Sequence, residues 1–199
     1  MSAELVRNAL ENFVSHYQKT FLELTEVYDP EWRSPCETAE PYTDEGGITR
    51  VPWQPLPRGL DTMTSHDFAG LENALEVEIH PDIKSYYGSY WSGGLEAEAP
   101  QGHVSLILLW NTEDAERLIA NLIGHAMAKQ RNKAPLSVFF ACTEVDSELF
   151  LSVENDTGHI LLEKPGHKPV ETVADNLTAF IDTLVPAPPE LHPERRQLV

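Results

Sequence analysis

The order of apolar and polar residues along the chain predicts three long amphipathic helices, because apolar residues recur at intervals of three or four in three places. The first set is Leu5, Val6, Ala9, Leu10, Phe13, Val14, Tyr17, Phe21 and Leu24; the second is Ala115, Leu118, Ile119, Leu122, Ile123, Ala126 and Met127; the third is Val173, Leu177, Phe180, Ile181 and Leu184. Thr112 is placed to cap the second helix. A shorter helix is predicted over residues 68–75.

Four apolar runs in the C-terminal half are typical of β-strands. They are "HVSLILLW" (103–110), "LSVFFACT" (136–143), "LFLSVEN" (149–155) and "GHILLE" (158–163), and the "NDTG" between the last two predicts a hairpin. The alternation in "EVEIHPDI" (76–83) predicts an exposed strand that Pro81 ends. Prolines and glycines between residues 29 and 63 favour a turn-rich loop or a few edge strands.

Helices and strands in this order predict an α+β fold, in which helices pack on a mostly antiparallel sheet. The chain has 199 residues, 41% of them hydrophobic, which is enough to bury the core of one domain. We expect that domain to span residues 1–186. Residues 187–199 are rich in proline and charge and are expected to form a disordered tail.

The charge of the chain narrows the classes of partner. It has 32 acidic and 14 basic residues, a formal net charge of −18, which repels nucleic acid phosphates and anionic lipid alike. Residues 1–100 hold 18 acids and 6 bases, and the rest hold 14 and 8. A basic protein partner is favoured, with the acidic surface drawn more from the first half. The alternative is that surplus acid only keeps the protein in solution.

No motif in the chain indicates a cofactor, a metal or catalysis. Cys36 and Cys142 are far apart and not in a C-x-x-C pair, which favours reduced thiols over a disulfide framework or a zinc site. There is no P-loop, G-x-G-x-x-G, G-x-S-x-G or H-E-x-x-H. The longest apolar run (104–110) is far shorter than the roughly 20 residues that span a bilayer. The N-terminal residues lack the pattern of a secretory signal. We expect a cytosolic protein that is not an enzyme.

A series of segments resembles Syd, the bacterial SecY-interacting protein family. The segments are "SPC" (34–36), "WQP" (53–55), "IHPDIKSYYG" (79–88), "NLIGHAMAKQRNK" (121–133), "LSVENDTGHILLEKPG" (152–166) and "DNLTAFIDTLVP" (175–186). The resemblance implies an α+β fold similar to that of the SUKH group of binding and immunity proteins. It also implies a monomer that binds SecY at the cytoplasmic face of the inner membrane, is peripherally associated with the membrane through SecY, and regulates or quality-controls it.

The stretch "YYGSYWSGGLEAEA" (86–99) is the predicted docking surface, because aromatic side chains beside carboxylates suit an apolar anchor flanked by steering charges. Cytoplasmic loops of membrane proteins carry excess lysine and arginine, so an acidic surface suits them. The predicted partner-binding residues are Tyr86, Tyr87 and Trp91 as anchors, with Glu78, Asp82 and Glu96 as charges. The alternative is that the aromatics pack in the core and the glutamates only face water.

Two other functions stay open from the residues alone. An immunity-type protein that masks a basic toxin would show the same acidity. A carboxylate-dependent hydrolase is suggested by acids spaced by two, which on a strand lie about 7 Å apart on one face. Those acids are Glu76 with Glu78, Glu96 with Glu98, and Glu144 with Asp146 and Glu148.

Overall fold

The computed structural model describes residues 2–59, 66–144 and 146–189, and in them five helices and twelve strands. The helices are α1 (Ser2–Thr20), α2 (His66–Leu75), α3 (Pro81–Ser89), α4 (Thr112–Arg131) and α5 (Leu177–Ile181). The strands are β1 (Leu24–Val27), β2 (Tyr42–Thr43), β3 (Thr49–Trp53), β4 (Leu56–Pro57), β5 (Tyr90–Trp91), β6 (Leu95–Ala99), β7 (Gly102–Leu106), β8 (Ser137–Cys142), β9 (Phe150–Glu154), β10 (Ile160–Glu163), β11 (Glu171–Ala174) and β12 (Val185–Pro186).

A seven-stranded antiparallel sheet organises the domain, in the spatial order β11-β10-β9-β8-β7-β6-β12. The proline-rich N-terminal segment adds two small antiparallel sheets, β1-β3-β2 and β4-β5. The α+β class with a mostly antiparallel sheet is confirmed, and so are four predicted strands, which correspond to β7, β8, β9 and β10.

Helices cover both faces of the large sheet, because successive side chains of a strand point to opposite faces. On one face, the ring of Phe140 in β8 contacts Tyr86 of α3 and Phe180 of α5, with centroids 5.6 and 5.7 Å apart. On the other face, the ring of Phe139 contacts His125 of α4 at 5.8 Å. The first face also holds α1, which packs against α3 and α5, and α2 packs against α4.

The buried stripe of α1 consists of Val6, Ala9, Leu10, Phe13, Val14 and Tyr17, as its spacing predicts. The burial of Tyr17 raises the pKa of its hydroxyl to about 12. Cys36 is also buried, next to the Ser34 hydroxyl, and burial raises the pKa of its thiol to about 11. Among the described residues, no helix is both long and apolar enough to cross a membrane.

Three local predictions are wrong. Residues 76–80 form no strand; His80 caps α3 by accepting a hydrogen bond from the N–H of Asp82, and Pro81 begins that helix instead of ending a strand. Asn111, not Thr112, caps α4, since its side chain accepts from the N–H of Asp114 at 2.8 Å. Proline is favoured at the first position of a helix, where its missing N–H costs no hydrogen bond.

The closing helix is shorter than predicted. Val173 belongs to β11, and α5 covers only five residues, capped by Asn176. Of the predicted tail, residues 190–199 lie outside the described residues. Ala187 is buried, and its N–H donates to the carbonyl of Glu96 at 2.9 Å, so the packed structure continues past residue 186.

Candidate functional site

One row of side chains crosses five strands on the α4 face of the large sheet. Each neighbour is the direct cross-strand partner of the next, so all share this face: Glu96, Ser105, Cys142, Phe150 and Glu163. Helix α4 lies over one end of the row, where Lys129 pairs with Glu163 and His125 contacts Phe150. Cys142, in the middle of the row, is exposed, and the other end of the row is Glu96.

We call this second end the acidic sheet face and define it by Glu96, Glu98, His103, Ser105, Cys142, Glu144 and Val185. Strands β6 and β7 bring its members together, because the register sets Glu96 opposite Ser105 and Glu98 opposite His103. Val185 of β12 is the partner of Glu98 on the other side.

His103 lies between two carboxylates of the acidic sheet face. Its Nε2 is 2.8 Å from Oε2 of Glu96, and its Nδ1 is 3.3 Å from Oε1 of Glu98. Burial alone would lower the pKa of His103, but the bonds to Glu96 and Glu98 outweigh it and raise that pKa above its usual value. The imidazole is therefore biased towards its charged form.

Glu96 is held in place rather than offered to solvent. It is only 5% exposed, and its Oε1 accepts a hydrogen bond from the Ser105 hydroxyl at 3.0 Å. Glu98 has a side chain 58% exposed, and Glu144 is also exposed, with its Oε1 3.4 Å from the N–H of His103. The accessible charges of this face are thus those of Glu98 and Glu144.

An apolar side chain lies directly beside these charges. Val185 is 57% exposed at the edge of the sheet, next to Glu98. The acidic sheet face can therefore offer a partner both carboxylates and a small apolar contact.

The end of the row under α4 is a closed polar core. Glu163 is 1% exposed and accepts from Lys129, from the Ser137 hydroxyl at 2.7 Å and from the Ser152 hydroxyl at 2.9 Å. His125 lies against it, with Nε2 3.2 Å from the Ser137 hydroxyl. Burial lowers the pKa of His125, which makes it the hydrogen-bonded structural histidine that its position on the helix edge suggests.

Three of the six predicted partner-binding residues have buried side chains that point away from solvent. Tyr86 and Tyr87 are at most 1% exposed, and their hydroxyls donate to the backbone carbonyls of Phe140 (3.3 Å) and Phe139 (2.8 Å). Asp82 is 2% exposed, with its Oδ2 3.9 Å from Nδ1 of His80. With Glu96, four of the six are therefore core or near-core residues.

The other two lie at the surface in different places. Glu78 has a side chain 87% exposed and lies 3.9 Å from Lys84. Its backbone carbonyl accepts from the Asn155 side chain at the β9–β10 turn. Trp91 is half-buried in β5, beneath the guanidinium of Arg58, 4.0 Å from its ring centroid.

The structure does not bring the predicted residues together. Glu78 lies at the end of the sheet where β9 turns into β10, whereas Glu96 lies beside Ser105, which pairs with the far end of β8. The sequence reasoning did not single out His103 and Val185. The signal for His103 was present in "EAEAPQGH", because a turn at Pro100 and Gln101 sets His103 opposite Glu98.

The described residues contain no group of three or more histidine, cysteine or acidic side chains arranged to hold a metal ion. On the acidic sheet face, His103 pairs with Glu96 and Glu98, and the exposed carboxylates of Glu98 and Glu144 suit contact with a cationic surface.

Comparison with known proteins identifies relatives along almost the whole chain. Residues 5–186 match the family model described as "Syd protein (SUKH-2)". The chain is 37% identical over 185 residues to "Protein Syd" of Pseudoalteromonas atlantica, covering 91% of this chain and 96% of that protein. It is 40% identical over 153 residues to "Protein Syd" of Hahella chejuensis (77% and 74% covered) and 34% identical over 181 residues to that of Colwellia psychrerythraea (88% and 90%).

Proposed function

The chain belongs to the Syd family, and from that membership we propose that it binds the SecY subunit of the protein translocase at the cytoplasmic face of the membrane. In this role it regulates SecY or takes part in its quality control. Its association with the membrane is peripheral and runs through SecY, and it acts as a monomer without a cofactor.

The observation that carries the proposal is the acidic sheet face. Cytosolic loops of a membrane protein are rich in lysine and arginine, and Glu98 and Glu144 offer exposed carboxylates to such loops. Val185 adds an exposed apolar contact beside them. Exposed ion pairs contribute only about 0.2–1 kcal/mol each, so the charges steer the encounter and the apolar contact adds to the affinity.

Within this proposal, Glu96 has a supporting role. It anchors the imidazole of His103, which lies opposite Glu98 across the two strands, and so fixes the position of Glu98. The buried Tyr86, Tyr87 and Asp82 support the sheet from behind. Glu78 and Trp91 are candidates for a second contact, away from the acidic sheet face.

The test measures binding of the purified protein to detergent-solubilised SecY from the same organism across a salt series. We expect saturable binding that weakens as salt rises, because Coulomb interactions between exposed groups are screened. Glu98→Lys/Glu144→Lys should weaken binding on the order of tenfold or more, since it replaces two attractions by two repulsions. Glu4→Lys/Glu11→Lys on α1 is the matched control, with the same change in net charge at exposed positions.

The outcomes separate the possibilities. Equal losses in the two double variants would show that only net charge matters and would contradict a role for the acidic sheet face. A selective loss in Glu76→Lys/Glu78→Lys instead would move the docking site to the other end of the sheet. No saturable binding at low salt would contradict SecY as the partner and favour the other class that suits an acidic surface, a basic toxin.

A further inference from the structure

Four of the 14 lysines and arginines of this acidic chain lie on two adjoining segments. Arg131 and Lys133 lie at the end of α4, and Lys164 and Lys168 lie on the loop between β10 and β11. A hydrogen bond of 3.2 Å from the Asn132 side chain to the carbonyl of Gly166 joins the two segments. We call these four residues, with His167, the basic patch.

The acids near the basic patch are mostly neutralised. Glu163 is buried and paired with Lys129, and Glu148 lies 2.5 Å from Lys164. Arg131, Lys133 and Lys168 are exposed and form no salt bridge with the part of the chain that the structure describes. Two exposed acids also lie nearby: Glu171 at the start of β11, and Asp146 two residues before Glu148.

A shallow, solvent-open hollow with room for about one water molecule lies between the end of α4 and the β10–β11 loop. Its lysine and asparagine side chains already bond Glu163, Glu148 and the carbonyl of Gly166. The cations open to an anionic surface are therefore the exposed Arg131, Lys133 and Lys168. Val170, 58% exposed, is an apolar side chain on the same loop.

We propose that the basic patch docks this protein on the anionic phospholipid headgroups of a bilayer. This adds a direct lipid contact to the association through SecY, and it requires no protein in the membrane. The exposed Arg131, Lys133 and Lys168 meet the negative surface potential, and Val170 contacts the interface.

The net charge of −18 does not prevent this contact. Glu96 and Glu98 of the acidic sheet face lie on β6, four strands from β10, about 19 Å at the usual strand spacing. That distance is more than twice the Debye length of about 8 Å at physiological ionic strength, so those carboxylates are largely screened from a membrane at the patch. The molecule therefore has a basic side for lipid and an acidic side for protein.

The test is flotation of the full-length protein with protein-free vesicles, either of phosphatidylglycerol mixed with phosphatidylethanolamine or of phosphatidylcholine alone. We expect binding to the anionic vesicles only, falling steeply with salt. Each basic side chain near such a surface contributes about fivefold, so Arg131→Gln/Lys168→Gln should weaken binding about 25-fold. Arg7→Gln/Lys19→Gln on α1 is the control with the same charge change and should bind at least ten times better than the patch variant.

A variant that misfolds would also lose binding, so the test includes a variant that should gain it. Glu171→Gln removes an opposing acid and should strengthen binding several-fold. Three results would overturn the proposal: no flotation with anionic vesicles at low salt, equal losses in the patch and α1 variants, or equally strong binding to a short DNA duplex at the same salt. The vesicles hold no SecY, so the two proposals are tested separately. Absence of vesicle binding would not contradict SecY binding in detergent, and absence of SecY binding would not contradict vesicle binding.

Discussion

Removing the charge of Lys129 should destabilise the fold far more than removing the charge of a surface lysine. Lys129 and Glu163 are 7% and 1% exposed, and the two Ser hydroxyls that also bond Glu163 bring no charge. Lys129→Met keeps the length of the side chain but leaves a buried carboxylate without its cation. Breaking a buried pair in this way costs about 3–5 kcal/mol.

The expected size of the effect can be measured by urea unfolding and by thermal melts. In a protein of this length, each 1 kcal/mol shifts Tm by about 2–4 °C, so Lys129→Met should lower Tm by about 6–20 °C. The matched control is Lys164→Met, whose pair with Glu148 is exposed on both sides. That pair should contribute only about 0–1 kcal/mol.

A double variant tests whether the unpaired charge of Glu163 causes the loss of stability. Lys129→Met/Glu163→Gln removes both charges but keeps a side-chain oxygen that accepts from Ser137 and Ser152. It should recover at least half of the stability that Lys129→Met loses, because the unpaired charge is gone. Two results would refute the argument that the unpaired buried charge causes the loss of stability. One is a loss for Lys129→Met no larger than that for Lys164→Met; the other is a double variant no more stable than Lys129→Met.

Three further predictions concern single positions. The pKa of His103 is raised on folding, so its ion pairs stabilise the fold below about pH 6.5, and this stabilisation is lost as the pH rises through the folded pKa. His103→Gln should abolish this loss when the free energy of unfolding is measured by urea at a series of pH values. Lys133 has a φ of 51°, so Lys133→Gly should raise the free energy of unfolding by about 0.5–1 kcal/mol in thermal or urea melts, and Lys133→Ala, which loses the same charge, should not. Gly158 has a φ of 77°, and a Cβ there would lie 2.8 Å from Nε2 of His80. Gly158→Ala should therefore lower the free energy of unfolding by at least about 1 kcal/mol in urea melts. In a double-mutant cycle, His80→Ala should relieve part of this cost.

The elements that could be predicted from sequence are those with long, regular patterns. Helices α1 and α4 and strands β7 to β10 each repeat their apolar period over several residues, and most of the predicted core residues are buried or half-buried. Leu5 of α1 and Met127 of α4, predicted on the core faces, are exposed. Helix α3 escaped prediction because it has only nine residues and because the five residues before it (76–80) resemble a strand. Its cap, His80, is not among the usual capping residues.

The burial of single polar residues could not be predicted from local pattern. "LEAEA" is typical of a strand with glutamates towards water, yet Glu96 is covered and Glu98 is not. The difference comes from His103 and Ser105, which lie seven and nine residues after Glu96 and are brought beside it by the register of β6 and β7. The hydroxyls of Tyr86 and Tyr87 donate to backbone carbonyls 54 and 52 residues further along the chain, so local pattern gives no sign of their partners.

The strand at the edge of the acidic sheet face limits how a partner can be recognised. β12 has two residues, one of them Pro186, and the chain continues into Pro188 and Pro189. A peptide strand that paired with β12 would find almost no backbone N–H donors there, so recognition by β-strand addition is blocked at this edge. Contact must be made by side chains meeting side chains. Such contacts do not dictate the partner's backbone direction, so a reversed basic loop could bind as well as a forward one.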